Sequence, residues 1–530
     1  MTHSLRTHLV SARSRSLALA VLFGTPAVLA KDVATYHNDN FRSGQNVQET
    51  ILTPSNVTSS TFGKLFTVSV DNVIDAQPLV LSLVPISGRT HNVLYAATEN
   101  DSVYAFDADT GAPLWHVSVV GPRESPSDTR GCSQVTPKIG ITATPVIDRA
   151  SGPHGILYVV AMSKDSSGNY FQRLRALDIT TGAEEFGGPV VVLAKYPGKG
   201  GYVTFDPKQY KERPGLLLLN HVIYTSWSSH CDILPYTGWL IGYNERTLAQ
   251  TSVLNVTPNG SKGAIWQSGG GLATDGGSIY FLDANGTFDT TLNSRGFPSR
   301  SDYGNAFMKI STTKNILAVV DYFNMYNTVA ESDSDEDLGS GAVMLLPPMK
   351  DSRGIIQYLA IGAGKDSNIY IVNRNNLGKF NPDNNNSIYQ EIDGALGGGM
   401  WDAPAYWNGS VYFAPQGNNL LQFRFSKARL SNSPFSRSAA VFQYPGASPS
   451  ISSNGSKNGI AWAIEESNPS VLHAYNAGNL AIELYNSNQA PRGRDEFGQA
   501  SHFGTPTIAN GKVYVGTLSG VAVFGLLGAK

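Results

Sequence analysis

The sequence predicts an all-β fold: an eight-bladed β-propeller of four-stranded antiparallel blades, closed by pairing of the N- and C-terminal strands. Three observations predict it. Turn formers are abundant and charges few, with 54 Gly, 28 Pro and 15% charged residues in 530, the composition of a many-turned β protein. The strand-like runs are short, such as Ser278 to Leu282 between Gly-rich turns, so each is one rung of something larger. Finally, the runs recur in pairs at spacings of about 45 to 70 residues, which suits one four-stranded blade plus its loops.

The pairs follow one pattern: a Gly- or Pro-rich turn, a small-apolar strand, a short loop, then an aliphatic-Tyr strand. The first is Ala76 to Val80 with Val93 to Ala96, and the second Ala143 to Ile147 with Ile156 to Val160. Pro214 to Leu219 with Val222 to Tyr224 is the third, and the stretch Ile265 to Asp289 holds the fourth. The fifth, Gly341 to Leu346 with Tyr358 to Ile361, is enlarged by a loop. Ala403 to Tyr406 with Val411 to Phe413, Pro449 to Ile451 with Ile460 to Ala463, and Thr505 to Ile508 with Val513 to Val515 complete the eight. Sheets this small cannot bury both faces alone, so they stack, and radial closure also removes exposed edges. Closure is expected from Leu65 to Val68 joining the last blade beside Val521 to Phe524.

Ahead of the repeats, Arg6, Arg13 and Arg15 precede an apolar run from Leu17 to Ala30 that ends in small residues. About fourteen such residues, broken by Gly24 and Pro26, are too few to span a bilayer and suit a secretory signal. Residues 1–30 are therefore expected to be removed, leaving 31–530 as one propeller domain, secreted or periplasmic and without a membrane span; a retained N-terminal anchor is the alternative. A formal net charge of −2 gives no reason to expect a nucleic-acid partner. Cys132 and Cys231 either form one long-loop disulfide, worth roughly 4–5 kcal/mol in the chain-entropy account, or remain two buried thiols. There is no CxxCH haem-attachment motif.

Ala105-Phe106-Asp107-Ala108-Asp109-Thr110-Gly111 followed by Trp115 resembles the A-x-D-x-x-T-G-x-x-x-W signature of the quinoprotein (PQQ-dependent) alcohol dehydrogenase-like β-propellers. Ala176-Leu177-Asp178 with Thr181-Gly182 is a weaker copy. The resemblance implies a site for pyrroloquinoline quinone (PQQ) and calcium. Lys365, in a segment similar to K-x-G-x-x-Y-x-x-D-R, takes the part of the cation on the quinone oxygens. Trp266 is similar in position to the tryptophan on which the quinone stacks, and Trp401 stands among the expected cofactor contacts, although Met400 occupies a place where a polar contact is sought. Asn285 resembles the Asn of T-G-N, and Asp232 replaces the usual Glu, as calcium ligands; oxygen donors are what a hard cation takes. The acidic loop Asp333 to Asp337 falls where the family carries its base, Asp335 or Asp337.

Each residue also has a plainer reading: a solvated lysine for Lys365, inter-blade packing for Trp266, turn or capping roles for Asn285 and Asp232, and a solvated loop for 333–337. The expected activity is oxidation of a small-molecule alcohol or sugar hydroxyl, with an external electron acceptor. A cofactor-free propeller binding a protein or glycan ligand is the alternative, because the adjacent Cys-Cys pair of many family members is absent. A hydrolase would need a His/Asp constellation, for which only His230 near Asp232 offers itself.

Overall fold

The computed structural model describes residues 1–2 and 32–528. The expected leader therefore lies, but for its first two residues, outside the described part. No helix among the described residues is long and apolar enough to cross a membrane.

Eight antiparallel sheets form a ring. From the axis outward, blade 1 is Leu79–Ile86, Arg89–Ala97, Ser102–Asp107 and Pro113–Ser118. The inner strands of the next three blades are Val146–Asp148, Leu217–Leu219 and Ala273–Thr274. Those of blades 5 to 8 are Met344–Leu345, Ala405–Trp407, Ser450–Asn454 and Thr507–Ala509. They coincide with the first member of each sequence pair, and the aliphatic-Tyr run is the second strand. Ring closure follows the expected register: Phe62–Ser69 is the outer strand of blade 8, with Phe66 opposite Val523, Thr67 opposite Ala522 and Val68 opposite Val521.

The tyrosines of the second strands tie neighbouring blades together. The Tyr95 hydroxyl donates to the Ile179 carbonyl (3.0 Å), Tyr158 to Glu245 (2.8 Å) and Tyr412 to Ala477 (2.6 Å), in each case reaching the turn after the third strand of the next blade. Trp115 of the signature makes a parallel contact, its indole N–H donating to the Ile179 carbonyl at 3.0 Å. The indole lies against Gly182, where an added Cβ would sit 2.8 Å from the ring and φ is +72°, so only glycine suits that turn. Because a buried hydroxyl that is bonded contributes about 1 kcal/mol and an orphaned one costs, Tyr158→Phe is expected to lower unfolding stability in urea by about 1 kcal/mol. Tyr514→Phe, which removes a buried hydroxyl lacking a partner, is expected to be neutral or stabilising in the same measurement.

The segment 33–46 carries a feature the repeats do not announce: it runs around the axis and bonds to every blade in order. Val33 exchanges backbone bonds with Val80, Ile147 N–H donates to the Ala34 carbonyl, and the Asn40 amide donates to the Leu218 carbonyl. Thr274, Leu345, Tyr406 and Ile451 then donate to the carbonyls of Asn40, Phe41, Ser43 and Gly44. The Asn46 amide finishes the circuit on the Ile508 carbonyl at 3.0 Å. The axial edges of the inner strands thus find hydrogen-bond partners, in blade 7 as a short parallel strand, Gln45–Asn46 beside Ile451 and Ser452. Arg42 fixes this ring from within, 1% exposed, donating to Leu272 O (2.7 Å), Tyr36 O (2.8 Å) and Thr35 Oγ1 (2.8 Å).

Candidate functional site

Strands of a blade alternate in direction, so the loops that lead into the inner strands and those between second and third strands emerge on one face. Ser229 to Trp239, Leu282 to Phe307 and Gly362 to Ile369 are loops of the second kind, while the chain before Ala273, Met344 and Ala405 supplies loops of the first. Among the described residues these loops enclose a cavity of about 80 Å³. Its walls include Asp232, Trp266, Asn285, Asp335, Asp337, Lys365 and Trp401, all seven candidates expected from the sequence. The 33–46 ring bonds further along the same inner strands, below this cavity.

Lys365 is the hub. Its ammonium lies 2.7 Å from Asp335 Oδ1 and 2.8 Å from Asp337 Oδ1, and 6.0 Å from the centre of the Trp401 ring. Asp335 is 67% exposed and ends the helix Thr328–Ser334 in a left-handed conformation, φ 61°, which turns the chain back toward Asp337. Its Oδ1 also accepts from the Asn285 amide at 2.6 Å. The Asn285 side-chain oxygen is buried and has no partner, which marks an acceptor waiting for a donor or cation. Asp337 is buried. Burial raises its carboxyl above the ordinary range against the pull of Lys365, and the charges of Asp335 and Asp232 push the same way. The Lys365 ammonium is itself held above the usual lysine range: burial opposes this, but Asp337 and Asp335 outweigh it.

Asp232 approaches from blade 3, accepting from Tyr236 and, at 3.2 Å, from Ser229 Oγ. Beside it Cys231 is joined to Cys132 by a disulfide with Cα atoms 5.4 Å apart, which settles the pairing left open above and staples a blade 2 loop to the cavity wall. Trp266 stands edge-on to Phe503, ring centres 5.6 Å apart, with the Lys211 ammonium 5.0 Å and the Arg213 guanidinium 6.0 Å from its ring. Trp401 packs edge-on to Tyr444 at 5.4 Å. Its ring fills the space where a Cβ on Gly399 would sit, 2.7 Å away.

Sequence reasoning missed a layer of buried ionisable groups around the axis near Trp266. Lys211 and Arg213 are at most 1% exposed. Burial, with Arg213 adding to it, lowers the Lys211 amine to about 7. Asp75 and Glu99 are both pushed up by burial, and the charge of Asp75 raises Glu99 further. These groups come from blades 1 and 3 and have no common motif; the run of three charged residues Lys211-Glu212-Arg213 was their one local signal. Met400, where a polar cofactor contact was sought, is 1% exposed in the apolar core; only its carbonyl is polar there, accepting from Ser340 Oγ at 2.7 Å. His230 is fully buried, bonds the Tyr210 carbonyl at 3.2 Å and is depressed to about 3 by burial, so it forms no His/Asp pair with Asp232.

The fold and cavity define an eight-bladed propeller with a polar, acid-lined chamber on one face. Solved structures bear out the fold. Quinohemoprotein alcohol dehydrogenase from Comamonas testosteroni superposes with a TM-score of 0.63 at 13% identity, over 95% of this chain and 82% of that one. Quinohemoprotein alcohol dehydrogenase ADHIIG from Pseudomonas putida HK5 gives 0.61 at 12%, over 94% and 81%. A europium-containing methanol dehydrogenase gives 0.60 at 11%, over 94% and 98%. No family model and no curated protein sequence matches the chain.

Proposed function

We propose that the protein is a quinoprotein-type oxidoreductase that oxidises an alcohol or sugar hydroxyl, holding PQQ and a hard cation in the Lys365 cavity. One observation carries the reading: seven side chains, chosen for their motif positions on blades 3 to 6 and the loops between them, line a single chamber. The donor set suits the cation. Asp232, Asp335 and Asp337 offer carboxylate oxygens, and the unpartnered Asn285 oxygen is the amide donor that calcium accepts. Among the described residues no three His, Cys, Asp or Glu side chains are grouped to hold an ion; in this reading the amide oxygen completes the donor set. A trivalent ion, such as the europium in one neighbour's name, uses the same oxygen chemistry.

When bound, the quinone supplies a hydride acceptor and the cation a Lewis acid. The chain's own groups do the rest. Trp266 and Trp401 offer flat apolar faces for a fused ring. Asp337, fixed by burial and by Lys365, takes the hydroxyl proton of the substrate, while the more exposed Asp335 and Asp232 hold the cation. Lys365 would present a fixed positive charge to the cofactor oxygens. An external acceptor would take the electrons, and the signal-like N-terminal sequence and the disulfide support a secreted or periplasmic location.

The space of about 80 Å³ holds a handful of waters. Titrating the purified protein with PQQ and calcium is expected to change the quinone absorbance and the near-ultraviolet circular dichroism together, and to switch on dye-linked alcohol oxidation. Absence of all three would leave the protein- or glycan-binding propeller in its place.

A further inference from the structure

On the face opposite the cavity, a depression of about 430 Å³ lies where blades 5 and 6 meet, within the range of small-molecule sites, roughly 300–1,000 Å³. One wall is the turn from Asp351 to Gln357, between the first and second strands of blade 5. The other runs from Ser426 to Arg429, at the end of the third strand of blade 6, Asn418–Ser426. Loops at these two positions leave the propeller on the side away from Lys365, because successive strands alternate in direction. The blades are bonded to each other here: the Gln390 side-chain amide donates to the Leu430 carbonyl at 2.8 Å, and the Leu430 N–H donates back to Gln390 Oε1 at 3.0 Å. Standing apart from the cavity, this place does not depend on the oxidoreductase reading.

From Ala403 to Ile464 the chain has five basic residues, Arg424, Lys427, Arg429, Arg437 and Lys457, and no Asp or Glu, although its formal net charge is −2. Within the depression, Arg353, Lys427 and Arg429 meet a single carboxylate, Asp351, and that carboxylate is spent inside its own hairpin. Its Oδ1 accepts from the N–H groups of Arg353 and Ile355, both at 2.9 Å, and its Oδ2 from the Gln357 amide at 3.0 Å. The Arg353 guanidinium reaches it only at 3.4 Å. Arg429 lies over the Tyr389 ring, 4.3 Å from its centre, and donates to the Tyr389 carbonyl. The Lys427 ammonium has no partner among the described residues. We infer that this depression binds a small molecule carrying a phosphate or sulfate ester. Guanidinium forks match the oxygens of a tetrahedral anion, and an ammonium adds a point charge. The hydroxyls of Ser352 and Ser426 stand in the same lining and supply further donors. A bare ion fills only part of the space, and the rest suits the organic body of the ester. A neutral molecule of the same size leaves the cations to water and gains nothing from them.

The test is calorimetric titration of the purified protein with glucose 6-phosphate and with glucose 6-sulfate, using glucose as the neutral comparison. Saturable one-to-one binding of at least one ester is expected, with none of glucose, and the tighter ester names the source of the anion. Binding is expected to weaken by about fivefold or more in Lys427→Ala and in Arg353→Ala, each of which removes one charged donor, with the thermal midpoint unchanged. Lys457→Ala, in the same acid-free stretch but outside the lining, is expected to bind like the wild type. Binding of neither ester, or equal weakening in Lys457→Ala, would overturn the site, the latter by reducing it to the general field of the blade. Binding to phosphatidylcholine vesicles containing phosphatidic acid, with neither soluble ester bound, would assign the charge to a membrane contact and overturn it as well.

Discussion

Lys365→Met is expected to abolish most dye-linked alcohol oxidation, by about 100- to 1,000-fold, the usual consequence of removing a preorganised charge from developing negative charge. The substitution keeps the stem and removes the ammonium. Two carboxylates then lose their common partner: Asp335, which is largely exposed and can hydrate, and Asp337, which cannot. Burial already raises the Asp337 carboxyl above its ordinary range with Lys365 pulling it down. Without that pull it rises further, so the protonated form persists to higher pH and the remaining activity is expected to need more alkaline conditions. PQQ affinity is expected to fall as well, because in the proposed site the Lys365 ammonium would face the bound ring. Steady-state rates across pH, with a urea unfolding curve as control, check this; activity within threefold of wild type would remove Lys365 from the site.

The second large effect is on stability. Arg42→Met is expected to lower the unfolding free energy by about 3–5 kcal/mol, because it leaves several buried oxygens without donors at about 1–3 kcal/mol each. The Arg42 guanidinium is satisfied by carbonyls and a hydroxyl from within the 33–46 ring and by Leu272 of blade 4. Its burial holds it down to about 10, still charged at neutral pH. Met fills a similar volume but leaves those oxygens without donors in a region closed to solvent. Because the ring bonds every inner strand in turn, loosening it is felt around the whole propeller. Urea denaturation followed by tryptophan fluorescence gives the difference, and a loss below 1 kcal/mol would mean that the ring contributes little.

Much of the fold was legible because each blade writes its inner strand and second strand with the same chemistry. Turn residues mark the boundaries, and the tyrosines of Tyr95, Tyr158 and Tyr412 recur because each spans to the next blade. The 33–46 ring was not legible: its bonds are mostly backbone to backbone, one per blade, which leave no pattern in side chains. The candidate cavity residues came from motif resemblance rather than periodicity, and the structure brings them into one wall. The groups behind them, Lys211 and Arg213 from blade 3 and Asp75 and Glu99 from blade 1, meet only because the blades are arranged around one axis. No local spacing records such a meeting. The disulfide was undecided for the same reason, since separation along the chain says nothing about distance across a ring.

The most direct measurement is fluorescence titration with PQQ in the presence of calcium, comparing wild type, Trp266→Leu and Asn285→Ala. A flat quinone against Trp266 and a cation on Asn285 predict saturable one-to-one quenching in the wild type, a smaller quench in Trp266→Leu, and loss of the calcium requirement along with most of the affinity in Asn285→Ala. Identical curves for all three proteins, or no saturable quenching in the wild type, would contradict the assignment of this cavity to a quinone and a cation.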